Sequence, residues 1–276
     1  MDNFAGGVAV VTGAGSGIGR AIAMQCAREG MHVAVADVMA SRLASLEEDL
    51  KAEGVNVLAR EQDVSDPDAV NAFAGEVLDT LGVPRLLFNN AGILQIGETW
   101  TGTPESWQKL MSINLMGVVH GLNAFVPAML EAGEAAHIVN TGSVGSLVVA
   151  PGMAQYTASK MAVRGVTESL LYDFAAHQAP IGVSLLCPGP VLTSISDELM
   201  GVAPGDGSTP PTEHLMAGQP DFIPAEQVAT QVFDGIRAGD FWIFTHPFSG
   251  YLEDTFGAIV AGRNPAYREV VFDAGG

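Results

Sequence analysis

The chain has 276 residues, 48% of them hydrophobic and 16% charged, which is enough to bury a sizeable core in one large domain. Its 12 Lys and Arg against 31 Asp and Glu leave a net charge of −19, which argues against nucleic acid and anionic membrane as partners. An anionic cofactor is still allowed, because backbone amides at a helix N-terminus bind phosphate whatever the global charge.

Short apolar runs alternate with helical patterns along the chain. Strands are predicted at Val8–Thr12, Val33–Asp37, Val55–Gln62, Leu86–Asn89, His137–Thr141 and Val183–Cys187. Most are continuously apolar, the pattern of a parallel sheet covered on both faces. Helices are predicted at Ile18–Glu29, Ala40–Glu53, Pro67–Leu81, Pro104–Ala132 and Gln155–His177, with Pro127 expected to kink the fourth or end it early. A helix Ala225–Ala238 and a strand Phe241–Thr245 complete the pattern. The expected fold is therefore α/β: a Rossmann-type, doubly wound, seven-stranded parallel sheet with helices on both faces, in one domain over residues 1–276. The one break in composition, Gly201–Phe222, reads as an irregular loop.

Cys26 and Cys187 lie in apolar periodic segments and read as reduced core residues. Met1-Asp2-Asn3-Phe4 leads straight into a strand without a charged-then-apolar leader, and no uninterrupted apolar stretch reaches membrane-spanning length. A cytoplasmic location is expected, with no membrane or nucleic-acid partner and no metal.

Thr12-Gly13-Ala14-Gly15-Ser16-Gly17-Ile18-Gly19 follows the first strand and opens the first helix. Glycines there let the backbone turn sharply and approach a pyrophosphate, which the helix N-terminus can bind. Asp37 closes the second strand, where a carboxylate can accept the adenosine ribose hydroxyls and repel a 2′-phosphate. Arg20 and Arg42 are near in sequence, but they fall inside the first helix and one turn into the second. Three more segments end strands where α/β folds bind ligands: Asp63-Val64, Asn89-Asn90-Ala91-Gly92, and Pro188-Gly189-Pro190-Val191-Leu192-Thr193.

Tyr156 and Lys160 stand four residues apart, on one face of a helix, thirteen and seventeen residues after Ser143. An ammonium beside a phenol favours the phenolate, so Lys160 is expected to lower the Tyr156 pKa from about 10 towards the working pH. Such a tyrosine can exchange a proton with an alcohol or carbonyl oxygen, and a nearby serine hydroxyl can hydrogen-bond that oxygen.

In this order and spacing the motifs resemble those of the classical short-chain dehydrogenase/reductases, from about Phe4 to Thr193. The one departure is Gly142, where the family usually carries another serine. The resemblance implies a tetrad of Asn114, Ser143, Tyr156 and Lys160. Tyr156 would be the acid/base and Ser143 would polarise the substrate oxygen. Lys160 would tune the tyrosine and bind the nicotinamide ribose, and Asn114 would hold a water of a proton relay. It also implies NAD contacts at Gly13, Ser16, Gly17, Ile18, Gly19, Asp37, Asp63, Val64, Asn90, Ala91, Gly92, Tyr156, Lys160, Pro188, Gly189, Val191 and Thr193.

The resulting expectation is an NAD-dependent oxidoreductase acting on a secondary alcohol or ketone. The alternative is a non-catalytic dinucleotide sensor, which has no need of a tyrosine and lysine at this spacing. A bulky apolar or aromatic substrate is expected from Leu94, Ile96, Val144, Leu147, Met153, Leu199, Met200, Leu215 and Met216 around the site. A lid at about 194–223 carries no Lys or Arg. The stretch Trp242 to Phe256 resembles relatives that act on bulky aromatic alcohols. Apolar residues on more than one face of the helices Pro104–Ala132 and Gln155–His177 predict a homotetramer or homodimer.

Overall fold

The central strand β1, Val8–Thr12, is buried along its whole length. Its apolar run is divided by the pleat: Ala9 and Val11 enter one core layer, Val8 and Val10 the other. Two helix layers follow from that division. Helices α1 (Gly17–Arg28), α2 (Ala40–Ala52) and α8 (Ala225–Ala238) cover the first face, with Ile22, Leu46 and Phe233 buried. Helices α3 (Pro67–Thr80), α5 (Gly117–Ala132) and α6 (Ala154–His177) cover the second, with Phe73, Phe125 and Phe174 buried. Burying each such aromatic contributes about 2–3 kcal/mol.

This computed structural model describes residues 3–272; Met1, Asp2 and the last four residues lie outside the described residues, and with them both ends of the span expected as one domain. The other main strands are β2 (His32–Asp37), β3 (Val57–Glu61), β4 (Pro84–Asn89), β5 (Ala136–Thr141), β6 (Ile181–Cys187) and β9 (Trp242–Phe244). They form a seven-stranded sheet in the order β3-β2-β1-β4-β5-β6-β9. Every pairing is parallel. The order reverses between β1 and β4, so a crevice opens over the C-terminal ends of those strands. Thr12, Asp37, Asn89 and Thr141 all end at that edge. Cys26 and Cys187 are free and buried, as their setting predicted.

Three expectations are corrected. β3 is shorter than Val55–Gln62, and β9 has three residues rather than five. Helix α5 runs through Pro127 to a left-handed Gly133 instead of stopping early. Asn123, whose carbonyl loses its partner at Pro127, is exposed, so solvent can take the missing bond. Between α4 (Pro104–Met111) and α5 lies a π turn, Ser112–Met116. Gly201–Phe222 is irregular as expected, apart from the short 3₁₀ turn Pro211–Glu213. Before it β7 (Val191–Leu192) leads into α7 (Ser194–Leu199), and after it β8 (Ile223–Pro224) pairs with β7 in a two-stranded parallel ribbon. The C-terminal helix α9 is Ser249–Val260.

Pro104–Ala132 contains an 18-residue window with a mean hydropathy of 1.4, long and apolar enough to cross a bilayer by length and composition. Glu105, Lys109, Asn114 and Asn123 interrupt the segment, so it is not the uninterrupted apolar stretch whose absence was expected. Here Val118, Leu122, Phe125 and Met129 pack it into the second core layer.

Candidate active site

The glycine turn fits between β1 and its neighbours because side chains are missing. Gly13 and Gly17 have φ of 62° and 51°, and a Cβ on Gly13 would stand 2.6 Å from Ala91 Cα. A Cβ on Gly19 would collide with the Gly13 carbonyl, and one on Gly17 would meet Thr193 Cγ2 at 2.8 Å. Thr12 Oγ1 accepts from the amides of Asn90 and Ala91 at 3.0 and 3.3 Å, and Asn90 Nδ2 donates to the carbonyls of Thr12 and Gly13, both at 3.2 Å. Asp37 Oδ2 accepts from Gly15 N at 2.9 Å, and its Oδ1 from Met39 N at 3.0 Å.

At the start of α1, Ser16 makes no side-chain cap, and the first turn contains no acidic residue. The amides of that turn are therefore free of a local carboxylate and fit a pyrophosphate. The Asp37 carboxylate beside Gly15 fits a ribose diol. The residues present thus fit a dinucleotide.

Gly92 links this cradle to the second group of residues. A Cβ there would lie 3.4 Å from both Asn114 Oδ1 and Lys160 Nζ. The π turn brings the fully buried Asn114 inward. Its Oδ1 accepts from Ile93 N at 2.8 Å, and its Nδ2 donates to Ile93 O at 3.0 Å and to Ser159 Oγ at 3.1 Å. Ser159 Oγ in turn donates to Tyr156 O at 2.7 Å. Lys160 Nζ is buried and donates to Thr141 O at 2.7 Å. Ser143 caps the short turn Val144–Ser146, with its Oγ accepting from Gly145 N at 3.0 Å, and its hydroxyl also hydrogen-bonds the Tyr156 phenol.

Burial pushes the Tyr156 phenol above its ordinary value, and the hydrogen bond from Ser143 opposes that rise. The expected lowering by Lys160 is not found. Its Nζ stands 5.8 Å from the phenol ring centroid, turned to the Thr141 carbonyl, and burial pulls the lysine itself down to about 8. Desolvation outweighs the cation–phenol attraction at this separation. Cys187, beneath the site, is pushed up to about 12 by burial and stays a thiol.

The remaining residues divide. Val64 is buried against Gly117, and its carbonyl bonds His120 Nδ1 at 2.9 Å. Pro188 O accepts from Val144 N at 3.0 Å, and Gly189 N donates to Thr245 Oγ1 at 3.0 Å, so this segment backs the Ser143 turn. Val191 is fixed in the β7–β8 ribbon, and Ile18 is half-buried on α1. Asp63 is not gathered in: it is exposed, and its Oδ1 accepts from Ser65 N at 2.8 Å.

Sequence reasoning missed Ser159 and Thr141 as supports, although Ser159 sits inside Tyr-Thr-Ala-Ser-Lys. It also set Arg42 aside. Arg42 is buried against the glycine turn, with its Nη1 donating to Ser16 Oγ at 3.3 Å. The signal was its place one turn into the helix that follows Asp37. Val144 and Leu147, predicted near the substrate, pack with Phe248, Tyr251 and Phe272 of the C-terminal region.

Comparison with known proteins agrees with this geometry. The family model for short chain dehydrogenases matches residues 7–201. The 1-deoxy-11-beta-hydroxypentalenate dehydrogenase of Streptomyces avermitilis is 34% identical over 240 residues, 86% of this chain and 84% of that protein. A crystal structure of a short chain dehydrogenase/reductase from Burkholderia phymatum in complex with NAD is 38% identical, with a TM-score of 0.88 over 98% of this chain and 100% of that one. An alcohol dehydrogenase from the archaeon Thermococcus sibiricus, solved with 5-hydroxy-NADP, is 26% identical, with a TM-score of 0.69 over 84% of this chain and 90% of that one. The family match covers well over half of the chain, which therefore belongs to the short-chain dehydrogenase/reductase family of oxidoreductases.

Proposed function

We propose that the protein is an NAD-dependent alcohol dehydrogenase or ketone reductase acting on a bulky, largely apolar secondary alcohol or ketone. The observation that carries this reading is the convergence of Asn114 and Lys160 on Gly92, beside the Ser143–Tyr156 pair and next to the glycine turn. When bound, the nicotinamide supplies the hydride donor or acceptor. Tyr156 exchanges the proton with the substrate oxygen, and Ser143 hydrogen-bonds that oxygen and orients it. Lys160, fixed by Thr141, would supply positive charge to the nicotinamide ribose. Asn114 holds the strand-end segment at Ile93 and, by the family's pattern, would hold a water of the proton relay.

Asp37 supports NAD over NADP, because its carboxylate stands where a 2′-phosphate would meet like charge. The lid supports an apolar substrate. Leu199, Met200 and Leu215 are exposed on it, and it has no cation for an anionic substrate. In keeping with the family, the protein works as a homotetramer or homodimer in the cytoplasm.

A screen of secondary alcohols with NAD and with NADP, followed at the absorbance band of the reduced cofactor, tests this reading. Turnover of bulky apolar alcohols with NAD is expected. A preference for small charged hydroxy acids, or equal efficiency with NADP, would refute it.

A further inference from the structure

Arg42 is a cation at the glycine turn that is already occupied. A Cβ on Gly15 would lie 2.8 Å from both Arg42 Cβ and Asp37 Cγ, so the two residues flank one point of the cradle. Asp37 does not take the guanidinium; its oxygens accept from Gly15 N and Met39 N. The lid takes it instead. Arg42 Nε donates to Gly205 O at 3.1 Å, and Nη2 is paired with Glu198 on α7. The lid then crosses the turn itself, where a Cβ on Gly207 would fall 1.9 Å from Gly15 O. Arg20, the other arginine of this region, is held by Asp49 at 2.5 Å and Ser45 at 3.2 Å.

We propose that Glu198 is a specificity-determining residue for the cofactor, acting through Arg42. This rests on the NAD reading above and deepens it. A guanidinium is the group best shaped to receive a 2′-phosphate, and an unpaired one beside the ribose would offset the repulsion from Asp37. Glu198 fills that place on Arg42. A 2′-phosphate has to displace a carboxylate from a buried arginine before it gains a partner, whereas a 2′-hydroxyl does not. Glu198 belongs to the lid rather than to the ribose cradle, so cofactor choice and lid position are set by one contact.

Calorimetric titration of NADH and NADPH into the parent protein, Glu198→Gln, Arg42→Gln and the double variant tests the assignment without turnover. In Glu198→Gln the ratio of the NADPH to the NADH dissociation constant is expected to fall about fivefold to tenfold, the size of one charge-assisted contact. The Arg42→Gln background should abolish that fall, and Glu198→Asp should restore most of the parent ratio. A structural weakening of the lid would shift both cofactors alike and leave the ratio unmoved. A parent that prefers NADH while the ratio in Glu198→Gln stays within twofold overturns this assignment alone. A parent that binds NADPH as tightly as NADH overturns the assignment and the reading of Asp37 together.

Discussion

Asn114 grips Ile93 by both of its main-chain groups, accepting from the nitrogen at 2.8 Å and donating to the oxygen at 3.0 Å. A side-chain amide used this way works as one rung of a ladder. It ties the helix to the segment that leaves β4 and thereby fixes Gly92 against Lys160. Asn114→Ala leaves two partly buried main-chain groups and the buried Ser159 without that partner, a cost of about 2–3 kcal/mol. Turnover and thermal stability should both fall, the melting midpoint by roughly 5 °C or more for a chain of this size. A variant that melts with the parent would show that the grip contributes little.

Tyr156→Phe keeps the ring and removes only the oxygen bonded to Ser143. Turnover is expected to drop on the order of a hundredfold to ten-thousandfold. NADH affinity, read by titration, should change little. Retention of more than about a tenth of the parent activity would assign the proton transfer to another group.

Lys160 gives a pH dependence with a definite sign. Its folded-state pKa, about 8, lies below the ordinary value of 10.5 for a lysine. Below pH 8 the folded protein bears the full cost of a buried ammonium. Between pH 8 and 10.5 the folded lysine is neutral while the unfolded one still binds a proton, so this group's contribution to stability rises with pH. Lys160→Met has no such cost at any pH. Its stability relative to the parent, from urea unfolding, should be greatest at pH 7 and decline towards pH 10. A difference independent of pH would contradict the depressed value.

The helix pair α5 and α6 leaves an apolar groove lined by Val119, Leu122, Val126, Pro127, Val166 and Leu170. Val163 and Phe174, on α6, are buried in the core layer against the sheet. This groove is the surface that the expected assembly through these helices would cover. Val166→Glu should shift the mass measured by light scattering at micromolar concentration from tetramer or dimer towards monomer. A parent protein that is monomeric at that concentration would refute the expectation.

Much of this molecule was legible in local sequence. The glycine turn, Asp37 and the Tyr156–Lys160 spacing each report a local constraint on one turn or one helix face, and the continuous apolar strands report burial on both sides. What could not be read depends on distance along the chain or on hydrogen-bond register. Arg42 and Glu198 are 156 positions apart, and neither residue type signals the other. The π turn has no compositional mark, because its residues are as helical as those around it. Asp63 stands at a strand end as its spacing suggested, with a local Asx turn engaging one oxygen of its carboxylate. The pKa of Tyr156 was misjudged because spacing gives adjacency and says nothing of desolvation.

A π turn holds one residue more than the α turn in its place, so Ser112–Met116 makes the helix Pro104–Ala132 sensitive to counting. Deleting one of these five residues would let that turn close to ordinary α geometry while the helix on either side kept its seat. Leu110 and Val118 could both stay buried, but the wide turn that brings Asn114 inward to Ile93 would be gone. A protein changed in that way would still have a core and would lose its chemistry. For this helix, length is the inherited property most exposed to damage, more than the identity of any one side chain.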